Sequence, residues 1–357
     1  MTATTLTASK DSTAQSARTW PQAIANWLWV LAALIFLMVV VGGITRLTES
    51  GLSITEWKPV SGTLPPLTEA QWNEAFAQYR QIPEYQQINR GMSLAEFKNI
   101  FFWEYVHRLL GRVIGLAALL PLLWFAWQRA IPAGYGVRLF GIFLLVCVQG
   151  AIGWWMVASG LSERTDVSHL RLAVHLLMAL LIFGLTAWTA LDLRSPGSRK
   201  QRVPTLAIWA LAVLGLQLMF GAYVAGLNAG FAFNTWPLMG DELYPAAAPW
   251  LEPAIGNFVD NPITVQFVHR WLAFAVLTFA VVLARQVKKV GGRRESIILH
   301  SAIGTQILLG IWTLLSGVHL HVAVAHQGMA VLVILGFVLV AHRLAVTRAQ
   351  ENALSPS

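Results

Sequence analysis

The chain has one cysteine, Cys147, in 357 residues, and only 12% of its residues are charged. A single cysteine excludes an intrachain disulfide framework, a CxxC redox site and a cysteine-ligated cluster. So few charges beside 56% hydrophobic residues cannot solvate a soluble globular surface. Acids are scarcer than bases, 17 against 25, which gives a formal charge of +8. The bases do not gather into a nucleic-acid patch; they fall between apolar segments, where they report topology. Residues 1–23 lack an apolar core ahead of the first hydrophobic run, so they are no secretory signal peptide. With Lys10 and Arg18 as the only bases there, and Asp11 as an acid, they also make a poor organelle-targeting segment and read as a disordered cytoplasmic tail.

What is abundant is long apolar sequence. Hydropathy over windows of about 19 residues predicts spans at 24–44, 104–128, 137–158, 169–191, 205–226, 264–286, 296–317 and 322–344. Trp20, Trp27, Trp29, Trp103, Trp124 and Trp127 fall at span ends, where an amphipathic ring suits the headgroup layer. With both termini placed in the cytoplasm, the short segments 192–204 and 286–295 collect Arg194, Arg199, Lys200, Arg202, Lys288, Lys289, Arg293 and Arg294 on the inside, as the positive-inside rule requires. The outer side then receives two long loops, 45–103 and 227–263. In the first, Leu67, Trp72, Phe76 and Tyr79 predict a short amphipathic helix, and loops of this length are expected to act as lids.

The chain repeats itself. Gly42, Gly51 and Trp57 recur as Gly221, Gly230 and Trp236 with the same spacings of nine and six residues. Glu104-Tyr-Val-His107-Arg108 recurs as Gln266-Phe-Val-His269-Arg270. Gln149, Gly153, Ser159 and Gly160 recur as Gln306, Gly310, Ser316 and Gly317, and His175 with Met178 and Ala179 recurs as His326 with Met329 and Ala330. Matches that keep order and phase are not explained by the general frequency of Gly and Trp in membrane proteins. Four spans, an even number, separate the copies, so both point the same way. The predicted fold is therefore an all-α polytopic membrane protein of eight transmembrane helices, built as two parallel-repeat four-helix bundles. Its parts are a tail (1–23), an N-terminal half (24–191), a cytoplasmic linker (192–204), a C-terminal half (205–344) and a second tail (345–357).

Ionisable groups inside spans are costly, which makes them candidates for function. His107, His175, His269 and His326 lie three to six residues inside the outer ends of their spans, about 5–9 Å deep at ~1.5 Å per residue. A lone intramembrane histidine commonly bonds a neighbouring helix. Four at one depth in repeat register suit paired axial ligation of planar macrocycles, His107 with His175 and His269 with His326. Glu104 precedes His107 by three residues and shares its helix face. Its counterpart Gln266 cannot exchange a proton, so the two sites differ chemically; this predicts a reacting first half and a second half that keeps a permanent cofactor. Arg108 and Arg270 are candidate partners of haem propionates. His300 and His342 read as snorkelling residues at inner span ends, and His169, His319 and His321 as structural or surface residues, the last two with an outside claim on a propionate.

Three other functions are disfavoured. A carboxylate-bridged di-iron bundle needs two Glu-x-x-His motifs and two more carboxylates, which the sequence does not supply. A dihaem electron carrier across the membrane needs haems near both faces, whereas all four histidines lie near one. A parallel-repeat transporter explains the repeat but not the registered histidines.

The segments Gly42-Gly-Ile-Thr-Arg-Leu-Thr-Glu-Ser-Gly-Leu-Ser, Glu56-Trp-Lys-Pro, Glu104-Tyr-Val-His-Arg-Leu-Leu-Gly-Arg and Asn234-Thr-Trp-Pro-Leu-Met-Gly closely resemble the haem A synthase family over roughly residues 24–344. The resemblance implies oxidation of the C8 methyl of haem O to a formyl group, through hydroxylated intermediates, giving haem A for cytochrome oxidase assembly. It assigns His107 and His175 to the substrate haem, His269 and His326 to haem b, and a catalytic role to Glu104. It implies a bacterial inner membrane location and, as partners, the lipid bilayer, haem O synthase and cytochrome oxidase assembly factors. It involves no nucleic acid, is compatible with a homo-oligomer, and does not identify the electron acceptor. Because residues 45–103 hold no cysteine, the chain resembles the cysteine-free branch of alphaproteobacteria and mitochondria, which excludes a thiol-based electron route through that loop.

Overall fold

A computed structural model describes residues 5–58, 61–195 and 202–354. Among them the chain forms ten α-helices in the order α1 (Thr5–Leu47), α2 (Glu69–Tyr79), α3 (Pro83–Gln87), α4 (Leu94–Trp127), α5 (Gly136–Ala158), α6 (His169–Arg194), α7 (Thr205–Gly226), α8 (Pro262–Lys289), α9 (Arg293–Leu315) and α10 (Leu320–Leu354). Eight of these, all but α2 and α3, are long and apolar enough to cross a membrane. The chain is a polytopic all-α membrane protein, as its hydropathy predicts.

Two helices begin earlier than hydropathy places them. The first starts at Thr5, so helix runs through most of a tail expected to be irregular; its Ala, Ser and Gln residues tolerate helix, and Pro21 lies inside it. The second, α4, starts at Leu94, ahead of the predicted 104. Ser93 there closes a capping box: its Oγ accepts from the Glu96 amide, and the Glu96 carboxylate accepts from the Ser93 amide at 2.8 Å. Glu96, Lys98 and Asn99 keep this first stretch below any hydropathy threshold.

The long loop 45–103 is folded in its described residues. A second capping box, Thr68 with Gln71, starts α2, which buries Phe76 and Tyr79 against Phe97 of α4 at ring separations of 4.9 and 5.3 Å. Leu52, Ile82, Phe101 and Val167 complete this cluster. Leu67, expected on the buried face, instead precedes the helix and is exposed.

Glu84 is buried in the same layer, and burial, reinforced by the charges of Asp166, Glu104 and Glu49, pushes its carboxyl up to about 8. A carboxyl raised in the folded state binds a proton that the unfolded chain releases, so the layer loses stability as pH rises from the ordinary carboxylate range through about 8. Proteolysis of loop 45–103 is expected to accelerate as pH rises from about 5 to about 8 in the wild type and to level off above that. In Glu84→Gln it should follow the protease's own pH profile alone.

The helices pack α1 on α4 and α6, α5 on α4 and α6, α7 on α8, and α9 between α8 and α10, while the halves meet along α1–α10, α6–α7 and α6–α10. In α10, 61% of the span is buried, against 6% in α5, which places α10 at the centre and α5 toward lipid. Ala187, Ala284 and Ala341 are fully buried in the shared core with Leu283 and Phe337, and such small side chains let helices approach closely.

At the opposite end from the loops, His342 departs from the snorkelling position expected of it. It is buried, with Nε2 at 3.0 Å from Asp192 Oδ1, while Arg138 pairs with the other Asp192 oxygen. This triad ties α10, α6 and α5 together. His300 is exposed, its Nδ1 at 2.8 Å from the Ser296 carbonyl, as an interfacial residue should be. His169 is structural: it is buried beside Tyr223, with Nε2 at 3.2 Å from Asp260. His319 and His321 are exposed neighbours.

Candidate functional site

The four registered histidines come from α4, α6, α8 and α10, and each ring faces a glycine of an adjacent helix. A Cβ added at Gly42 would lie 3.0 Å from Cε1 of His107; the corresponding distance is 2.9 Å for Gly153 and His175, 3.0 Å for Gly221 and His269, and 2.9 Å for Gly310 and His326. Any larger residue would push the ring away, so these glycines, recognisable in the sequence only as repeat markers, seat the imidazoles. His107 and His175 lie within electrostatic reach of each other, and so do His269 and His326.

Glutamines back three of the rings. Gln149 Nε2 donates to the His175 carbonyl at 3.0 Å and lies 3.1 Å from its Nδ1; Gln217 Nε2 has the same two distances to His269. Gln306 Nε2 is 3.5 Å from His326 Nε2. Gln149 and Gln306 are repeat matches, but Gln217 has no partner in the first half, and the sequence signal for it was its place four residues before Gly221, as Gln149 stands before Gly153.

Glu104 is 3% exposed and fully engaged. Its Oε2 accepts from the Ser53 hydroxyl at 2.7 Å and the Ile54 amide at 2.8 Å; its Oε1 accepts from Arg108 Nε at 3.0 Å and Nη2 at 2.7 Å. The loop donors Ser53 and Ile54 are not visible in any helical pattern. In the second half, Gln266 Nε2 donates to the Phe233 carbonyl at 3.0 Å. Phe233 is the repeat counterpart of Ile54, so an acid accepts from the loop in one half where an amide donates to it in the other.

The arginines hold the same loops. Arg108 donates to the Ile54 and Glu56 carbonyls at 2.7 and 2.9 Å, and Arg270 to the matching Phe233 and Thr235 carbonyls at 2.9 and 2.8 Å. Both guanidiniums therefore clamp a long loop onto the helix that carries the histidine.

Among the described residues, no three His, Cys, Asp or Glu side chains converge on a metal-sized site. What the protein offers is imidazoles in pairs, seated on glycine. Two ligands and no more suit a metal whose other positions are filled by a macrocycle, and the donor set fits haem.

The family model described as cytochrome oxidase assembly protein matches residues 25–338. The chain is 52% identical over 328 residues to a haem A synthase of Sphingopyxis alaskensis, covering 91% of this chain and 92% of that one. It is 54% identical over 330 residues to a haem A synthase of Rhizorhabdus wittichii, covering 91% and 94%, and 49% identical over 348 residues to one of Novosphingobium aromaticivorans, covering 94% and 99%.

Proposed function

Since the chain belongs to the cytochrome oxidase assembly family that includes these haem A synthases, we propose that it oxidises the C8 methyl of haem O to a formyl group, giving haem A. The observation that carries the division of labour is a difference in proton-exchanging capacity between the two matching frames, Glu104 against Gln266. His107 and His175 take the substrate haem. His269 and His326 hold haem b, which supplies one-electron chemistry to the reaction when bound. Glu104 is a positioned carboxylate on the substrate side, its geometry fixed by Ser53, Ile54 and Arg108. It handles the proton lost as the methyl group is oxidised, or stabilises charge developing beside it. Arg108 and Arg270 hold the loops against the helices that carry His107 and His269, and each would be a candidate partner for a haem propionate.

Both termini lie in the cytoplasm of a bacterial inner membrane, with the histidines toward the outer side. A haem O synthase delivers the substrate and cytochrome oxidase assembly factors receive the product. Extraction and chromatography of haems from cells that make haem O, with and without this chain, tests the reading: haem A should appear only with the chain. A dihaem electron carrier would leave haem O unchanged.

A further inference from the structure

The loop side of the first half carries acids that the second half lacks. Glu49 corresponds to Asn228, and the two share a left-handed backbone, with φ of 50° and 52°. Glu104 corresponds to Gln266. Glu84 stands in α3, and neither α2 nor α3 has a match in the second half, where no α-helix forms between Gly226 and Pro262.

Glu84 is 4% exposed, and its Oε2 is buried with no hydrogen-bond partner. The hydroxyl of Tyr79, itself fully buried, lies within hydrogen-bonding reach of the Glu84 carboxyl and accepts from Asn89 Nδ2 at 2.8 Å. Tyr79 packs on Phe97 at 5.3 Å, and Phe97, Phe101 and Glu104 follow one another along a single face of α4. The layer that holds Glu84 therefore covers the face of α4 that carries Glu104. The charges acting on Glu84 are Asp166, Glu104 and Glu49, all negative. Arg108 is committed to Glu104, and Arg46 to Asp166 at 3.1 Å. The Asp166 side chain is 38% exposed, so the series Glu104, Glu84, Asp166 leads from a closed site to water. A carboxyl held near 8 suits a group that must both take and give protons at neutral pH. Burial pushes the Tyr79 hydroxyl up, which keeps it a donor to that carboxylate.

We propose that Glu84 relays protons from Glu104 to water: Glu104 passes the proton it has taken up to the Glu84 carboxylate, and Glu84 releases it beside Asp166. In each transfer one O–H bond breaks as another forms, Glu104 returns to its carboxylate form, and no electron passes through the relay. A buried polar atom without a protein partner is a place for an ordered water, and Oε2 of Glu84 offers it for the bridge to Glu104. The inference rests on the functional reading above, in which oxidation of the methyl group releases protons beside Glu104.

The test uses the full-length chain in membranes from cells that make haem O. Haem A formation in the wild type should rise with pH and level off near 8, as Glu84 becomes free to accept. Glu84→Gln should keep both haems, slow haem A formation about 10–100-fold, at or below the ~10²-fold floor for direct proton transfer, and flatten that rise. Glutamine imitates the protonated carboxyl, the form in which the loop layer is most stable. A Glu84 that only supported the layer would therefore leave the variant fully active. A second measurement needs no turnover. In infrared pH-difference spectra of the purified chain, a protonated-carboxyl band should disappear through about 8, be absent from Glu84→Gln, and titrate at lower pH in Glu104→Gln, which removes one of the charges that raise it.

Wild-type activity and pH profile in Glu84→Gln overturn the relay. If that variant does not fold, the infrared titration decides, and a band that stays in place in Glu104→Gln overturns it. A wild type that forms no haem A overturns the functional reading on which the relay rests.

Discussion

Glu104→Gln is expected to keep both haems bound and to form haem A at least about a hundredfold more slowly, the lower end of what a positioned proton-transfer group contributes. The substitution is close to isosteric, and the protein itself shows that an amide is compatible with this position. Gln266 occupies the equivalent place, bonds the equivalent loop residue, and stands beside an arginine that makes the equivalent clamp. A folded variant with both haems and no product therefore isolates the carboxylate's chemistry from its part in holding the loop. Chromatography of haems from membranes that make haem O, with haem b measured in the same extract, checks the result. Wild-type amounts of haem A would reduce Glu104 to a loop anchor for Ser53, Ile54 and Arg108.

His326→Ala should lose haem b, a larger effect than the ~10–100-fold expected for an outer-shell partner, because it removes one of two ligands and empties the seat at Gly310. His269→Ala should do the same through Gly221. Haem A formation should stop in both, since the half that reacts would have lost the cofactor that serves it. The reduced-minus-oxidised spectrum of the purified variants, followed by extraction, gives the outcome. Retention of haem b with loss of haem O would exchange the roles of the two halves.

Much of this architecture can be read from the sequence because the forces that set it are local or periodic. A span of apolar residues long enough for a bilayer has few alternatives, and a histidine inside one stands out because burying it is costly. The repeat then pairs His107 with His175 and His269 with His326 without any coordinates. The first turns of α4 are not visible in this way, since a capping box around Ser93 and Glu96, and not hydropathy, sets the start. The Asp192–His342–Arg138 triad is hidden for another reason: its members are far apart in the chain and share no period, so His342 passes for an interfacial residue until α6 and α10 are packed together. The backing of the histidines lies between these extremes. The glycines and two of the glutamines mark the repeat, but that they seat and hold the rings emerges only once α1, α5, α7 and α9 lie against the ligand helices. Arg108 and Arg270 follow the ligands directly in sequence, but the loop carbonyls of Ile54, Glu56, Phe233 and Thr235 that their guanidiniums engage belong to no periodic pattern.

The central claim is that two copies of one frame each hold a haem and that only one of those haems is the substrate. Quantitative extraction of haem from the purified wild-type chain, produced in cells that make haem O, tests it most directly. The account predicts about one haem b and about one haem O or haem A per chain, the ligand count that two pairs of axial imidazoles allow. A colourless preparation from haem-replete cells, or two b haems with neither haem O nor haem A, would contradict it.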